Sequence, residues 1–148
     1  MISTKGKYGL RAAVELAVRE GQGPVSLTAI AEEQGISEPY LEQLMRLLKN
    51  AGLVKAVRGK AGGYCLARAA EDISAGELLL ALEGTTSITD CVGTDADRCL
   101  TACDCAARPL FLTLQERIDG VLDHTTLEDL KRDYQQQKKR TEHAESLS

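Results

Sequence analysis

Cys91, Cys99, Cys103 and Cys105 fall within fifteen residues, in the segment DCVGTDADRCLTACDC, and only Cys65 stands elsewhere. Thiolates are soft, electron-donating ligands, and closely spaced thiolates hold zinc or iron–sulfur clusters. Four of them suffice for a 2Fe–2S or 4Fe–4S cluster or for a structural zinc, and oxidation to disulfides is a third chemistry open to them. Cys103 and Cys105, one residue apart, reach a single metal only in a tight arrangement. Four unliganded thiols fit the segment poorly, because free cysteine is usually buried and VGTDADR is polar. Cys65 lies in an apolar stretch and reads as an ordinary buried small residue. His124 and His143, the two histidines, stand near the polar C-terminus and read as solvated.

A second set of residues has the chemistry to read nucleic acid. Glu38, Tyr40, Glu42, Gln43 and Arg46 lie on the exposed side of one predicted helix. Glutamine pairs bidentately with adenine, arginine bonds guanine or phosphate, and glutamate accepts from cytosine N4. Solvation alone also explains Glu42 and Gln43, and packing against the following hairpin also explains Tyr40. Arg58 and Lys60 flank Gly59 in a glycine-rich turn and suit a narrow minor groove or its phosphates. Thr28, with the free N–H groups at the start of its helix, can anchor a phosphate.

The elements that must position these residues follow from periodicity and caps. Leu10, Ala13, Val14, Ala17 and Val18 recur at helical spacing within residues 4–20, and the Gly21-Gln22-Gly23-Pro24 run ends that helix. Ser26 or Thr28 caps a short helix through Gln34, and Gly35 makes the turn after it. Ser37 caps the next helix, Pro39 sits in its first turn, and Leu41, Leu44, Leu47 and Leu48 are its predicted buried face to about Asn50. Residues 53–57 and 64–67 read as strands joined by the basic turn 58–63. Helix, short helix, turn, helix and hairpin together are a winged helix-turn-helix. Ser74-x-x-Glu77 is a capping box opening a helix to Glu83-Gly84. Apolar residues at 111, 114, 118, 121 and 122 predict a helix from Pro109 to Asp123, and Thr126-x-x-Asp129 opens a short one. From Gln135 onward almost nothing is available to bury, and a frayed tail is expected.

Composition agrees with a mainly helical protein. Aromatics are 3% of the chain, tryptophan is absent, and Phe111 is the single phenylalanine, so the core must be aliphatic. The net charge of −4 hides a division. Residues 1–68 carry ten Lys/Arg and six Glu, a net of +4, whereas residues 69–148 carry eight basic and sixteen acidic groups, a net of −8. Segregated basic charge is the footprint of a region that meets phosphate. No signal-peptide or membrane-spanning run is visible, which points to a cytosolic protein with reduced thiols. No nucleophile–histidine pairing, metal-water base or phosphate loop suggests an enzyme.

The stretches STKGKYGLRAAVELA, ISEPYLEQL and VRGKAGGY, and the cysteine segment followed by ARPLF, resemble the Rrf-type winged-helix regulators of bacteria (the IscR/NsrR/CymR group) over residues 2–130. The resemblance is closest to the iron–sulfur cluster-binding members. It implies a homodimeric transcription factor on a double-stranded operator, whose long C-terminal helix crosses between subunits. It places Tyr40, Glu42 and Gln43 on the recognition helix and Arg58 on the minor-groove wing. Glu42 matches a position that adjusts operator preference in the cluster-binding regulator. Cys91, Cys99 and Cys105 match the three cluster cysteines, and Cys103 is extra to that pattern. The fourth ligand departs from the family: with CLTAC aligned, Ala102 stands where a histidine would be, and Tyr8 stands near the position of an acidic ligand seen in other members. Cys103, Asp104 or a residue of a second subunit could serve instead. Members acting on cysteine metabolism through a partner protein lack these thiols.

The resulting expectation is a mainly α protein with four parts. These are a winged helix-turn-helix over 1–84 with a two-stranded wing, a cysteine-rich cluster loop over 85–105, a dimerisation helix with a following short helix over 106–134, and a flexible tail over 135–148. The DNA-contact set is Thr28, Ser37, Tyr40, Glu42, Gln43, Arg46, Arg58 and Lys60. A 2Fe–2S cluster is favoured over 4Fe–4S, with zinc as the alternative. Cluster-assembly or redox proteins are possible further partners.

Overall fold

The computed structural model describes residues 2–89 and 106–147. Helix α1 (Thr4–Val18) lies at the centre, touching α2, α3, α4 and α6. Its packing face is built from small residues: Gly6, Gly9, Ala12, Ala13 and Ala17 are buried there with Leu16. Two glycines bring α1 and α4 into close approach, since a Cβ on Gly9 would stand 2.4 Å from the Leu82 side chain.

Helices α2 (Leu27–Gln34) and α3 (Glu38–Asn50) form the helix-turn-helix. Of the two candidate caps of α2, Ser26 is the one used, its hydroxyl accepting from the Ala29 N–H at 3.1 Å. Gly35, at φ +66°, turns the chain into α3. Ser37 caps α3 by accepting from the Tyr40 N–H, and Pro39 occupies the first turn as expected. The buried face of α3 is Leu41, Leu44, Met45 and Leu48; Leu47 is half-buried, so the face is centred one position from the leucine pattern. Strands β1 (Val54–Val57) and β2 (Gly63–Leu66) pair antiparallel with Val54 opposite Leu66 and Val57 opposite Gly63. A backbone bridge between Val25 and Tyr64 ties the wing to the start of α2.

After a 3-10 turn (Ala70–Asp72), α4 (Ala75–Glu83) opens with the expected capping box between Ser74 and Glu77. Arg68 reinforces that start, donating to Glu77 at 2.8 Å and to the Asp72 carbonyl. Its guanidinium, with the Ser74 N–H, holds the Glu77 carboxyl below the usual range. Helix α5 (Arg108–His124) presents Phe111, Gln115, Ile118 and Leu122 inward and leaves Leu110, Leu114 and Val121 exposed.

The chain then returns to the winged-helix core. Ala75 donates to the Thr125 carbonyl, Leu127 donates to the Ile73 carbonyl, and Leu127 is fully buried among the core leucines. The start of α6 (Leu127–Leu147) is therefore part of the first unit rather than an appendage of α5. Thr126 and Asp129 form the expected cap, bonding reciprocally at 3.0 and 3.1 Å. The tail expectation is corrected here: residues 135–147 continue α6 rather than fray. They contain no Gly or Pro, they are rich in helix-forming Gln, Lys, Arg and Glu, and a turn already started needs no buried face to propagate. Among the described residues, no helix is long and apolar enough to cross a membrane.

Candidate nucleic-acid interface

The local geometry sorts the sequence-predicted residues into three groups. Glu42, Gln43 and Arg46 are exposed on α3, with Arg46 and Glu42 3.9 Å apart across one turn. That pair is solvated on both sides and holds little energy, so both side chains are free to rearrange against a ligand. Arg58 and Lys60 are exposed in the turn of the wing, and Thr28 is exposed in the first turn of α2. Ser37 differs from these because its hydroxyl is already engaged with the Tyr40 N–H at 3.3 Å.

Tyr40 is half-buried, and its contacts are with α1. Its ring meets Tyr8 of α1 edge-on at 6.3 Å, and its hydroxyl donates to Thr4 Oγ1 at 3.4 Å. Tyr40 therefore joins α3 to α1. Lys7 and Arg11 each lie 5.5 Å from the Tyr8 ring centroid, so two exposed cations flank the aromatic pair. Neither is among the contact residues read from the sequence. Their signal was the i, i+4 spacing around a tyrosine, in reach of a second aromatic only once the helices pack.

Cys91, Cys99, Cys103 and Cys105 lie outside the described residues. Among the described residues, no group of three or more His, Cys, Asp or Glu is placed to hold a metal ion. Cys65 is half-buried on β2 opposite Lys55, rather than fully buried as its neighbours suggested. The structure does describe how the chain is held on the way into the cysteine segment. Gln115, buried on α5, accepts from the Ile88 N–H at 2.8 Å and donates to the Thr86 carbonyl at 3.1 Å. One amide thus pins residues 86–88 to α5. A glutamine on the inward stripe of an otherwise apolar helix face was the available signal.

Glu83, the last residue of α4, reaches back to the start of α1. Its carboxylate accepts from the Ser3 N–H at 2.7 Å, the Ser3 hydroxyl at 2.8 Å and the Gly6 N–H at 2.9 Å. Burial works to raise its pKa, but the Ser3 and Gly6 donors outweigh it and hold the carboxyl below its usual range. A depressed folded-state value means the clamp stabilises the fold above the unfolded value of about 4.3 and is lost as pH falls through the folded one. Glu83→Gln is expected to lower stability at neutral pH by about 1–2 kcal/mol, the scale of a lost helix cap. The gap from wild type should close as both are titrated below the carboxylate range. Urea melts at neutral and acidic pH check this, and an equal gap at both would show that the charge contributes nothing.

A helix-turn-helix braced by α1, with an adjoining glycine-rich basic hairpin, defines a winged-helix protein of the kind that regulates transcription by binding DNA. The chain belongs to the Rrf2 family, described as an iron-dependent transcriptional regulator, whose pattern matches residues 2–133. It is 44% identical over 129 residues to the HTH-type transcriptional regulator CymR of Bacillus subtilis (strain 168), across 87% of this chain and 88% of that one. It is 40% identical over 133 residues to the HTH-type transcriptional regulator IscR of Serratia proteamaculans, across 87% and 77% of the two chains. The solved structure of B. subtilis CymR, described as the global cysteine regulator, superposes with a TM-score of 0.78, covering 89% of this chain and 96% of that one at 44% identity. That of T. potens IscR superposes with a TM-score of 0.73 at 43% identity, covering 90% and 88%. These relatives are regulators of transcription, not enzymes.

Proposed function

We propose that this chain regulates transcription in response to iron–sulfur cluster or redox status, sensed through Cys91, Cys99, Cys103 and Cys105. The observation that carries this reading is the donor set: four thiols within fifteen residues, just ahead of the α5 helix. Cys91, Cys99 and Cys105 would hold the cluster, and Cys103 would complete an all-thiolate set. Such a set suits a 2Fe–2S or 4Fe–4S cluster, with 2Fe–2S favoured. When bound, the cluster supplies a centre whose charge and occupancy change with redox state.

The chain's own residues transmit that change. Gln115 joins the entry of the cysteine segment to α5, Glu83 joins α4 to the first turn of α1, and Thr4 and Tyr8 join α1 to Tyr40 on α3. A shift of the segment alters DNA affinity only as far as it favours one arrangement of α3 and the wing over another. On DNA, α3 enters the major groove with Glu42, Gln43 and Arg46 toward base edges, while Arg58 and Lys60 meet the minor groove and its phosphates. Thr28, Lys7 and Arg11 contact backbone phosphate, and Ser37 orients Tyr40 through its cap. The exposed stripe of α5 joins two copies into a homodimer.

A second reading has one specific support: CymR, 44% identical, is described as a global cysteine regulator. In that case the chain would act on cysteine metabolism through a partner protein, and the four thiols would serve as a zinc staple or a disulfide switch. Anaerobic purification separates the readings. Brown protein with matching iron and acid-labile sulfide is expected, and Cys99→Ala should lose the chromophore and remain dimeric. Colourless protein with zinc or no metal would move the function to the second reading. Arg58→Ala is expected to weaken binding to an operator selected from random duplexes by about 1–3 kcal/mol. Unchanged affinity in a fluorescence titration would remove the wing from recognition.

A further inference from the structure

A cleft of about 530 Å³ opens between α1, the end of α2 and α6, with no residue of the wing among those that line it. Its volume lies in the range of small-molecule sites. Glu15 lines it while only 4% exposed, and a buried carboxylate is costly unless a donor satisfies it. The Tyr134 hydroxyl supplies one donor at 2.9 Å. Gln34, on the wall, leaves its buried Oε1 with no hydrogen-bond partner.

The charge of the cleft points the same way. Glu33 and Asp133 add carboxylates, and Arg11, which leans over the Tyr8 ring, is the one cation among the lining residues. The rim already holds an ammonium: Lys138 Nζ sits 4.9 Å from the Tyr134 ring centroid and 3.7 Å from Glu33 Oε1. That side chain is 52% exposed, and its charge also reaches the Tyr134 hydroxyl and acts on Glu15. Gln34 Oε1 is still left without a donor, and three carboxylates against the two cations Arg11 and Lys138 leave the cleft net negative. Leu10, Val14 and Leu130 offer an aliphatic wall for whatever carries that donor.

We propose that this cleft is a binding site for a small aliphatic amine, with the ammonium on Glu15 and Gln34 and the chain against Leu10, Val14 and Leu130. Because α1 and α6 both line the cleft, the occupant ties α6 to the helix that braces Tyr40 and α3. The site thereby gives the regulator a second input, independent of its cysteines.

Calorimetric titration of the full chain with 1,4-diaminobutane, and with butan-1-ol and butyrate as uncharged and anionic counterparts, tests this. Saturable binding of the diamine at or below about 1 mM is expected, with no heat from the other two. Glu15→Gln should weaken the diamine about tenfold or more, since it removes a charge-assisted partner and keeps the acceptor for Tyr134. Methyl NMR of the wild-type chain should show shifts at Leu10, Val14 and Leu130, a readout that stands if Glu15→Gln fails to fold. No saturable heat, equal binding of butyrate, or shifts confined to other methyls would overturn the proposal. Absence of cluster chemistry would leave these outcomes unchanged.

Discussion

Gly63→Ala is expected to cost roughly 3 kcal/mol or more of stability, far above an ordinary loop substitution, by forcing backbone against backbone. Gly63 has φ +154°, and a Cβ built there would stand 2.1 Å from the Val25 carbonyl oxygen and 2.9 Å from the Ser26 nitrogen. Neither is the end of a flexible side chain, so the methyl group can be admitted only by parting the two strands of chain. That parting breaks the exchange in which Tyr64 N–H donates to the Val25 carbonyl at 2.8 Å and Val25 N–H donates to Tyr64 at 2.9 Å. The same bridge sets the wing against the cap of α2, so the variant should lose DNA affinity as well as stability. Gly59, at the tip of the wing, is the control. It has φ +114° but nothing within 4 Å of its Cβ position, so alanine there carries only local backbone strain of about 1 kcal/mol. Urea melts of both variants decide the matter, and a Gly63 variant no weaker than the Gly59 variant would show that the wing is not anchored through this contact.

The glycines also show where the sequence was legible and where it stopped. The run Gly62-Gly63 reads as turn chemistry, and the turn is there; that Gly63 is also the close-approach point to Val25, 38 positions earlier, is a tertiary fact no local pattern encodes. Caps at Ser37 and Ser74, the choice of Ser26 or Thr28 for α2, and the helix ends at Gly35 and Gly84 were legible because each is a bond between residues at most four apart. Glu83 was not, because its partners Ser3 and Gly6 are 80 and 77 residues away.

The misreadings have one cause: burial was inferred from residue type alone. Leucine spacing favoured Leu47 over Met45 on α3, although helix rotation against α1 and α4 decides which is inside. A polar tail suggested disorder after residue 134, although a helix anchored by Leu127 needs only continued i to i+4 bonds to extend. Tyr40 had two acceptable roles from its type, and its place against Tyr8 followed from packing that the sequence leaves implicit. Of the candidate site, the exposed α3 and wing residues were readable, whereas the α1 cations and the Gln115 pin emerged only from three dimensions.

The larger consequence of burial concerns α5, where Leu114→Glu with Val121→Glu is expected to convert a dimer into a monomer. Leu110, Leu114 and Val121 recur at spacings of four and seven on α5, and they are 59%, 42% and 66% exposed. The adjoining stripe, from Phe111 through Gln115 and Ile118 to Leu122, is the one turned inward, so the exposed set is left uncovered among the described residues. Burying such side chains is worth about 1.5–3 kcal/mol each, and a two-fold interface counts every residue twice. Two glutamates per chain then place like charges across the same axis. The loss should exceed about 4 kcal/mol, or roughly a thousandfold in dissociation constant. Sedimentation equilibrium should report twice the 16.0 kDa chain mass for wild type and a single mass for the variant. Because both positions are already exposed within one chain, helicity by circular dichroism should be unchanged. DNA affinity should fall with dimerisation, since two half-sites would no longer be engaged together. A variant that remains dimeric would mean that α5 does not carry the interface. A monomeric variant with full operator affinity would mean that one winged helix reads the DNA alone.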